Sequence, residues 1–232
     1  MTTETTMTGP PDVDDSLHGE HRRAATYKLL ADCYHPPDHW RSTLEATADD
    51  EVAVSIDPLK SAATDRQALT LDHAQLFVGP FELAAPPYES VYIDDETRVM
   101  TSSSESVQAT YRQAGVDIAL EEPPDHVSPE LEFLSLLVHT ELEALAAGEI
   151  EAAEIYLEAQ YDFLVNHLGR WVSELADNMR EHAETEFYRL LAEETQQFVE
   201  NDGRQLRDRL DRLVTDENIL AVIEQGDIHD SR

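Results

Sequence analysis

Cysteine is nearly absent from this 232-residue chain: Cys33 stands alone, which excludes an intrachain disulfide and a thiolate metal cluster. Its place in an apolar helical stretch points to a buried, inert thiol. Lysine is almost as scarce. Of the 16 cationic side chains only Lys28 and Lys60 are lysines, leaving fourteen arginines, and no basic patch exists to release phosphate counterions from nucleic acid. No apolar run approaches the roughly 18 residues of a membrane span, so no stable membrane insertion is expected. The polar, acidic stretch Met1 to Ser16 has neither the basic start nor the apolar core of a secretory signal, and a cytoplasmic chain is expected. There is no Gly-x-Ser-x-Gly turn and no Gly-rich phosphate loop. Ser102, Ser103 and Ser104 precede a helix, where serine's ordinary work is capping. Neither an activated nucleophile nor a cofactor is expected, and the chain does not read as an enzyme.

What the chain has is acid. With 49 Asp and Glu against 16 Lys and Arg, the formal charge is −33. The acids are dispersed rather than gathered in a tail. Dispersed acid with little lysine suits a surface adapted to high salt, where self-repulsion is screened and strong hydration preserves solubility. The global charge therefore describes the source more than the function. At 41% apolar residues the chain can still build a real core.

The periodicity is helical almost throughout. Residues 1–16 read as a disordered tail, 17–200 as one all-α globular domain and 201–232 as an amphipathic C-terminal helix and tail, about ten helices altogether. Asp57-Pro58 and Ser128-Pro129 look like N-cap and first-position pairs. Gly115, Gly148 and Gly169 look like C-terminal stops. The long loop from 79 to 94 carries Pro86, Pro87, Tyr88 and Tyr92, with a brief extended stretch at 91–93. Loops of that length inside a domain are usually functional or disordered, and its apolar content argues against disorder.

The run Glu122-Pro123-Pro124-Asp125-His126 is the most telling. The diproline cannot continue a helix, so two acids and a histidine stand at the entrance of a strongly apolar helix. Such a loop could grip a cation, a proton or a basic peptide. For metal, His35 and His39 have a ligand spacing, but Pro36 and Pro37 break the helix that would align them. Asp72-His73 and Asp125-His126 supply acid–histidine doublets, and an all-helical metal-dependent phosphohydrolase is the alternative reading.

Three segments, in order, resemble the TorD/DmsD family of redox-enzyme maturation chaperones, related to the nitrate reductase chaperones. They are Leu76-Phe77-Val78-Gly79-Pro80 with Ala85-Pro86-Pro87-Tyr88-Glu89-Ser90-Val91-Tyr92; then Glu122-Pro123-Pro124-Asp125-His126; then His167-Leu168-Gly169-Arg170-Trp171 with Phe187-Tyr188-Arg189-Leu190-Leu191. The resemblance covers roughly residues 20–200. It implies a TorD-like all-helical fold that binds the twin-arginine leader of a molybdopterin oxidoreductase, or its apo form. Such a chaperone assists cofactor insertion and holds back export, as a monomer or domain-swapped dimer. By resemblance, Glu122, Asp125 and His126 belong to the leader-recognition loop, and Leu76, Phe77, Pro87 and Tyr88 to the same groove. Tyr88 stands where tryptophan is common. The chemistry agrees: carboxylates receive guanidinium through paired, charge-assisted bonds, and an apolar groove buries the hydrophobic stretch. The expectation is that Glu122 and Asp125 take the arginines while Phe77 and Tyr88 line the apolar part.

Overall fold

The computed structural model describes residues 13–79, 83–94, 102–116 and 122–227, the side chains of 13–16, 214 and 216–227 excepted. Ten α-helices lie among them: α1 (Val13–Cys33), α2 (Pro37–Ala46), α3 (Ile56–Ala62), α4 (Arg66–His73), α5 (Glu89–Ile93), α6 (Ser102–Gln113), α7 (Val127–Ala147), α8 (Ile150–Asn166), α9 (Val172–His182) and α10 (Glu186–Asp227). The all-α expectation holds. The disorder expected in residues 1–12 lies outside the described residues, and α1 already begins at Val13.

Helix α7 is the spine. Its first half is buried on nearly every side, from Val127 through Val138 with only Glu132 and Leu136 emerging, as a helix apolar all round must be. It packs between α1 and α8, while α10 lies against α8 and α9. The approach of α1 is close because Ala24 and Ala31 face α7 with minimal bulk. Ser135 Oγ and Ser128 Oγ donate to the Ala24 and Ala31 carbonyls at 2.9 and 2.7 Å. Gly148 stops α7 at φ 77°, a left-handed conformation that favours glycine. The two-residue link to α8 makes the pair a helical hairpin. Gly169 does not stop α8, which ends at Asn166. It lies in the 3-10 turn Leu168–Arg170, where an added Cβ would meet the Leu164 carbonyl oxygen at 2.5 Å.

An ionic knot locks the helices together. Arg23 on α1, 6% exposed, meets Asp202 of α10 at 3.0 Å, Glu20 at 2.8 Å and Glu141 of α7 at 3.5 Å. Burial alone would lower the Arg23 pKa, but the surrounding carboxylates, Asp202 foremost, raise it further. Gln160 of α8 donates to Glu141 at 2.8 Å and also accepts from Arg23. Tyr27 O–H donates to Asp202, and Arg209 reaches Glu20 and Glu141.

Three local expectations change. Residues 91–93 are helical, forming most of α5, because Asp125 caps that turn from another loop. The pairs Asp57-Pro58 and Ser128-Pro129 are not cap and first position: the caps are Ser55 and His126, and each proline is third in its helix. Early helical N–H groups have no intrahelical partner, so proline is tolerated there without marking the first residue. Finally, α10 runs unbroken through 200, the boundary expected for the core domain, because Asp202 and Leu206 are buried.

Removing one member of a buried ion network strands the others without compensation. Asp202→Ala should therefore destabilise the protein by about 3–5 kcal/mol in denaturant unfolding, although it lies beyond position 200. A change below about 0.5 kcal/mol, typical of surface sites, would show the knot to be incidental.

Candidate functional site

The two proline-containing loops that stand out in the sequence are physically joined. Glu89 N–H donates to the Asp125 carbonyl and Val127 N–H to the Pro87 carbonyl, both at 2.9 Å. Tyr88 and His126 thus form an isolated antiparallel bridge. The side chains reinforce it. Asp125 Oδ2 accepts from Ser90 N–H at 3.2 Å, at the start of α5. His126 Nδ1 accepts from Ser128 N–H at 3.0 Å, capping α7. Tyr111 of α6 donates its hydroxyl to the Pro124 carbonyl at 2.9 Å.

These bonds sort the seven residues expected from the sequence. Asp125 is 1% exposed and His126 5%, so both hold the loops from within. Leu76 and Phe77 are also buried. Phe77 packs among Tyr34, His73 and Tyr188 with ring centroids 5.4 to 5.7 Å apart, and the Leu76 carbonyl anchors Ala85 N–H at 3.1 Å. Pro87 is buried as well. Glu122 and Tyr88 are partly exposed, and they are the two that reach the surface. Leu71 and Val78, 65% and 60% exposed, are apolar residues of the same region; Val78 lies within the segment 76–80, whereas no sequence motif marks Leu71. Exposure along a helix depends on what packs against it.

A file of rings runs outward from the bridge. Tyr88 meets His126 edge-on at 5.3 Å, His126 stacks over His35 at 6.5 Å, and His35 meets His39 at 4.7 Å. The prolines between His35 and His39 therefore do not keep their rings apart. Ser128 Oγ lies 2.9 Å from His35 Nε2. Burial, then the charges of His35 and His73, push His126 down to about 3, so it is neutral at pH 7. Its bare Nδ1, accepting from Ser128, agrees.

The other doublet does similar work. Asp72 accepts from Glu184 and Thr185 N–H at 3.1 and 2.7 Å, ahead of α10, and His73 Nε2 lies 3.1 Å from the Tyr34 carbonyl. Among the described residues no three His, Cys, Asp or Glu side chains converge as a metal shell requires.

Behind the bridge lies an acidic core with no role foreseen in the sequence. Glu130 of α7 is fully buried; its Oε2 accepts from Trp171 Nε1 at 3.2 Å, while its Oε1 has no hydrogen-bond partner among the described residues. Nearby, His167 Nδ1 lies 3.1 Å from the Glu89 carboxylate. Burial first, then the charge of Glu89, raises the Glu130 pKa well above the carboxylate range, and the carboxyl keeps its proton. The lone acid in Pro129-Glu130-Leu131, inside an apolar face, was the available signal.

The fold is shared with a solved structure from Archaeoglobus fulgidus assigned as a redox enzyme maturation protein, at TM-score 0.55 and 24% identity, covering 78% of this chain and 94% of that one. Among curated relatives, the chaperone protein TorD of Vibrio parahaemolyticus is 26% identical over 164 residues, 68% of this chain and 74% of TorD. The Tat proofreading chaperone DmsD of Salmonella typhimurium is 30% identical over 121 residues, about half of each protein (51% and 52%). The class is thus that of redox-enzyme maturation chaperones. Residues 42–177, more than half of the chain, match the model of the nitrate reductase delta subunit family, and the chain belongs to that family, on its TorD/DmsD side. No described helix is long and apolar enough to cross a membrane.

The two buried titrating groups act in opposite directions. Glu130's folded pKa lies above its unfolded value of 4.5, so its favourable contribution is present below pH 4.5 and is lost as pH rises. Glu130→Gln should be more stable than the parent at pH 8 in denaturant unfolding, with the gap closing towards pH 4.5. His126's folded pKa lies below its unfolded 6.5, so its contribution is present above 6.5 and lost as pH falls towards 3. His126→Asn, which can still accept from Ser128, should unfold with a shallower acid-side loss than the parent. An unchanged acid-side slope in unfolding titrations would mean that His126 is not neutral in the fold.

Proposed function

We propose that this protein is a cytoplasmic chaperone for a molybdopterin oxidoreductase of the dimethyl sulfoxide or trimethylamine oxide reductase type. It binds the enzyme's twin-arginine leader, its apo form, or both. By doing so it assists cofactor insertion and holds back export until folding is complete. The observation that carries this reading is the pairing of Pro87–Glu89 with Asp125–Val127, which brings the partly exposed Glu122 and Tyr88 into one joined pair of loops.

The seven residues then take two kinds of part. Glu122 receives a leader arginine through charge-assisted hydrogen bonds, and Tyr88 offers an aromatic face beside it. Asp125, His126, Pro87, Leu76 and Phe77 act indirectly, by fixing the loops that carry those two. A resident Lys28 already bridges Asp32 and Glu132, the latter at 3.0 Å, on the face where His35 emerges. The acids of this face are therefore partly occupied, and Glu122 is the one the proposal relies on.

Titration with a twin-arginine leader peptide tests the proposal. Binding should be measurable, and replacing Arg-Arg by Lys-Lys should weaken it, because lysine cannot make the bidentate contact. Glu122→Gln should lower affinity about 5-fold at low salt, the equivalent of roughly 1 kcal/mol for a partly exposed charged contact. That loss should shrink in molar salt, where the screening length falls to about 3 Å. A leader that fails to bind, or binds equally with Lys-Lys and to Glu122→Gln, would sink the proposal.

A further inference from the structure

His35 can take up a proton without losing a hydrogen bond, and it does so beside Glu122. It lies in the turn between α1 and α2, partly exposed, stacked over His126 and against the exposed His39. The hydrogen bonds fix its tautomer. The single hydroxyl proton of Ser128 goes to the Ala31 carbonyl at 2.7 Å, so Ser128 Oγ accepts from His35 Nε2–H at 2.9 Å. A second proton therefore enters at His35 Nδ1 and breaks neither bond. His126 is the opposite case. Its Nδ1 already accepts from Ser128 N–H, so protonation there costs the α7 cap.

The surroundings of His35 decide when that proton arrives. Charged or titratable groups face it from each neighbouring element: Asp32 and Lys28 of α1, His39 of α2, His73 of α4, Glu132 of α7, and Glu122 and His126 of the loop before α7. Burial first, then the charge of His39, hold the His35 pKa below 6.5, while Glu132, Glu122 and Asp32 pull it upward. The ring is thus neutral at pH 7 and gains its proton as the medium turns mildly acidic. The same Glu122 that attracts this proton is the carboxylate offered to the leader.

We infer that His35 sets the pH range of leader binding, because its proton and the leader's arginines compete for one acidic face. This rests on the leader-binding reading above and adds its regulation. The coupling is reciprocal. A bound arginine pair drives the proton off His35, and a protonated His35 weakens the leader. His35 acts through its charge beside Glu122 and needs no contact with the leader.

The test titrates a twin-arginine leader against the parent, His35→Gln and His39→Gln from pH 7.5 to 5.5 in low salt, with circular dichroism as the check on folding. Glutamine at 35 keeps an N–H for Ser128 Oγ. Parent affinity should fall about fivefold over this range and that of His35→Gln about twofold at most, the order expected when one unit charge is added or spared close by in water. The parent's fall should shrink in molar salt. His39→Gln, changed at an exposed position, should move the fall to higher pH, since a charge that holds the proton off His35 is gone. Calorimetry at pH 6 in two buffers of different ionisation enthalpy should show the parent releasing part of a proton on binding, and His35→Gln releasing less. If His35→Gln does not fold, the His39→Gln shift and the parent's proton release decide. An equal fall in His35→Gln and the parent, a His39→Gln fall that does not move up in pH, or no proton released by the parent overturns the role of His35 and leaves leader binding intact. A leader that does not bind the parent at any pH in the range overturns both.

Discussion

Everything distinctive about this molecule hangs from two backbone hydrogen bonds, Glu89 to Asp125 and Val127 to Pro87. They join loops almost forty residues apart in the chain and set the starts of α5 and α7 side by side. Proline supplies the carbonyl at Pro87 and the stiffness of both loops, since a ring-locked backbone loses less freedom on being fixed. The side chains of Asp125 and His126 then cap α5 and α7. A loop rich in acid and histidine thus spends most of its polar chemistry on backbone groups. What remains for a partner is the margin, Glu122 and Tyr88.

The interior is more polar than a helical bundle needs. One buried knot, around Arg23 and Asp202, is fully paired and spans four helices. The other, around Glu89, Glu130 and His167, is acid-rich: Glu89 is paired with His167, and burial raises the Glu130 pKa so that this carboxyl holds its proton. Both solutions avoid an uncompensated buried charge. The second lies directly behind the paired loops, since His167 bonds Glu89, the residue after Tyr88. The dispersed surface acid is a separate matter and leaves these interior choices untouched.

Much of this was legible along the chain. Helical periodicity marked the segments because an apolar face is written at a local spacing of three to four residues. The segments 76–92 and 122–126 were recognisable as parts of one site. Less legible was what each residue does there. Leu76 and Phe77 look like groove residues in sequence, yet Tyr34, His73 and Tyr188 cover Phe77. Ser128 looks like a cap, yet His126 takes that position while the serine bonds α1. The Asp-His doublets look like fragments of a metal site, yet each aspartate is consumed by backbone N–H groups at a helix start.

The sequence by itself determined the all-helical class, the proline-stiffened loops and the family to which they belong, because these depend on spacing and local backbone preference. Only the tertiary structure decided which acids face water, which histidines stay neutral, and that α10 continues through 200 to complete the core. Those outcomes depend on burial and on partners from distant segments. Asp125 is the clearest case: its neighbours in sequence suggest a ligand for a cation, and the N–H of Ser90, thirty-five residues away, makes it a cap.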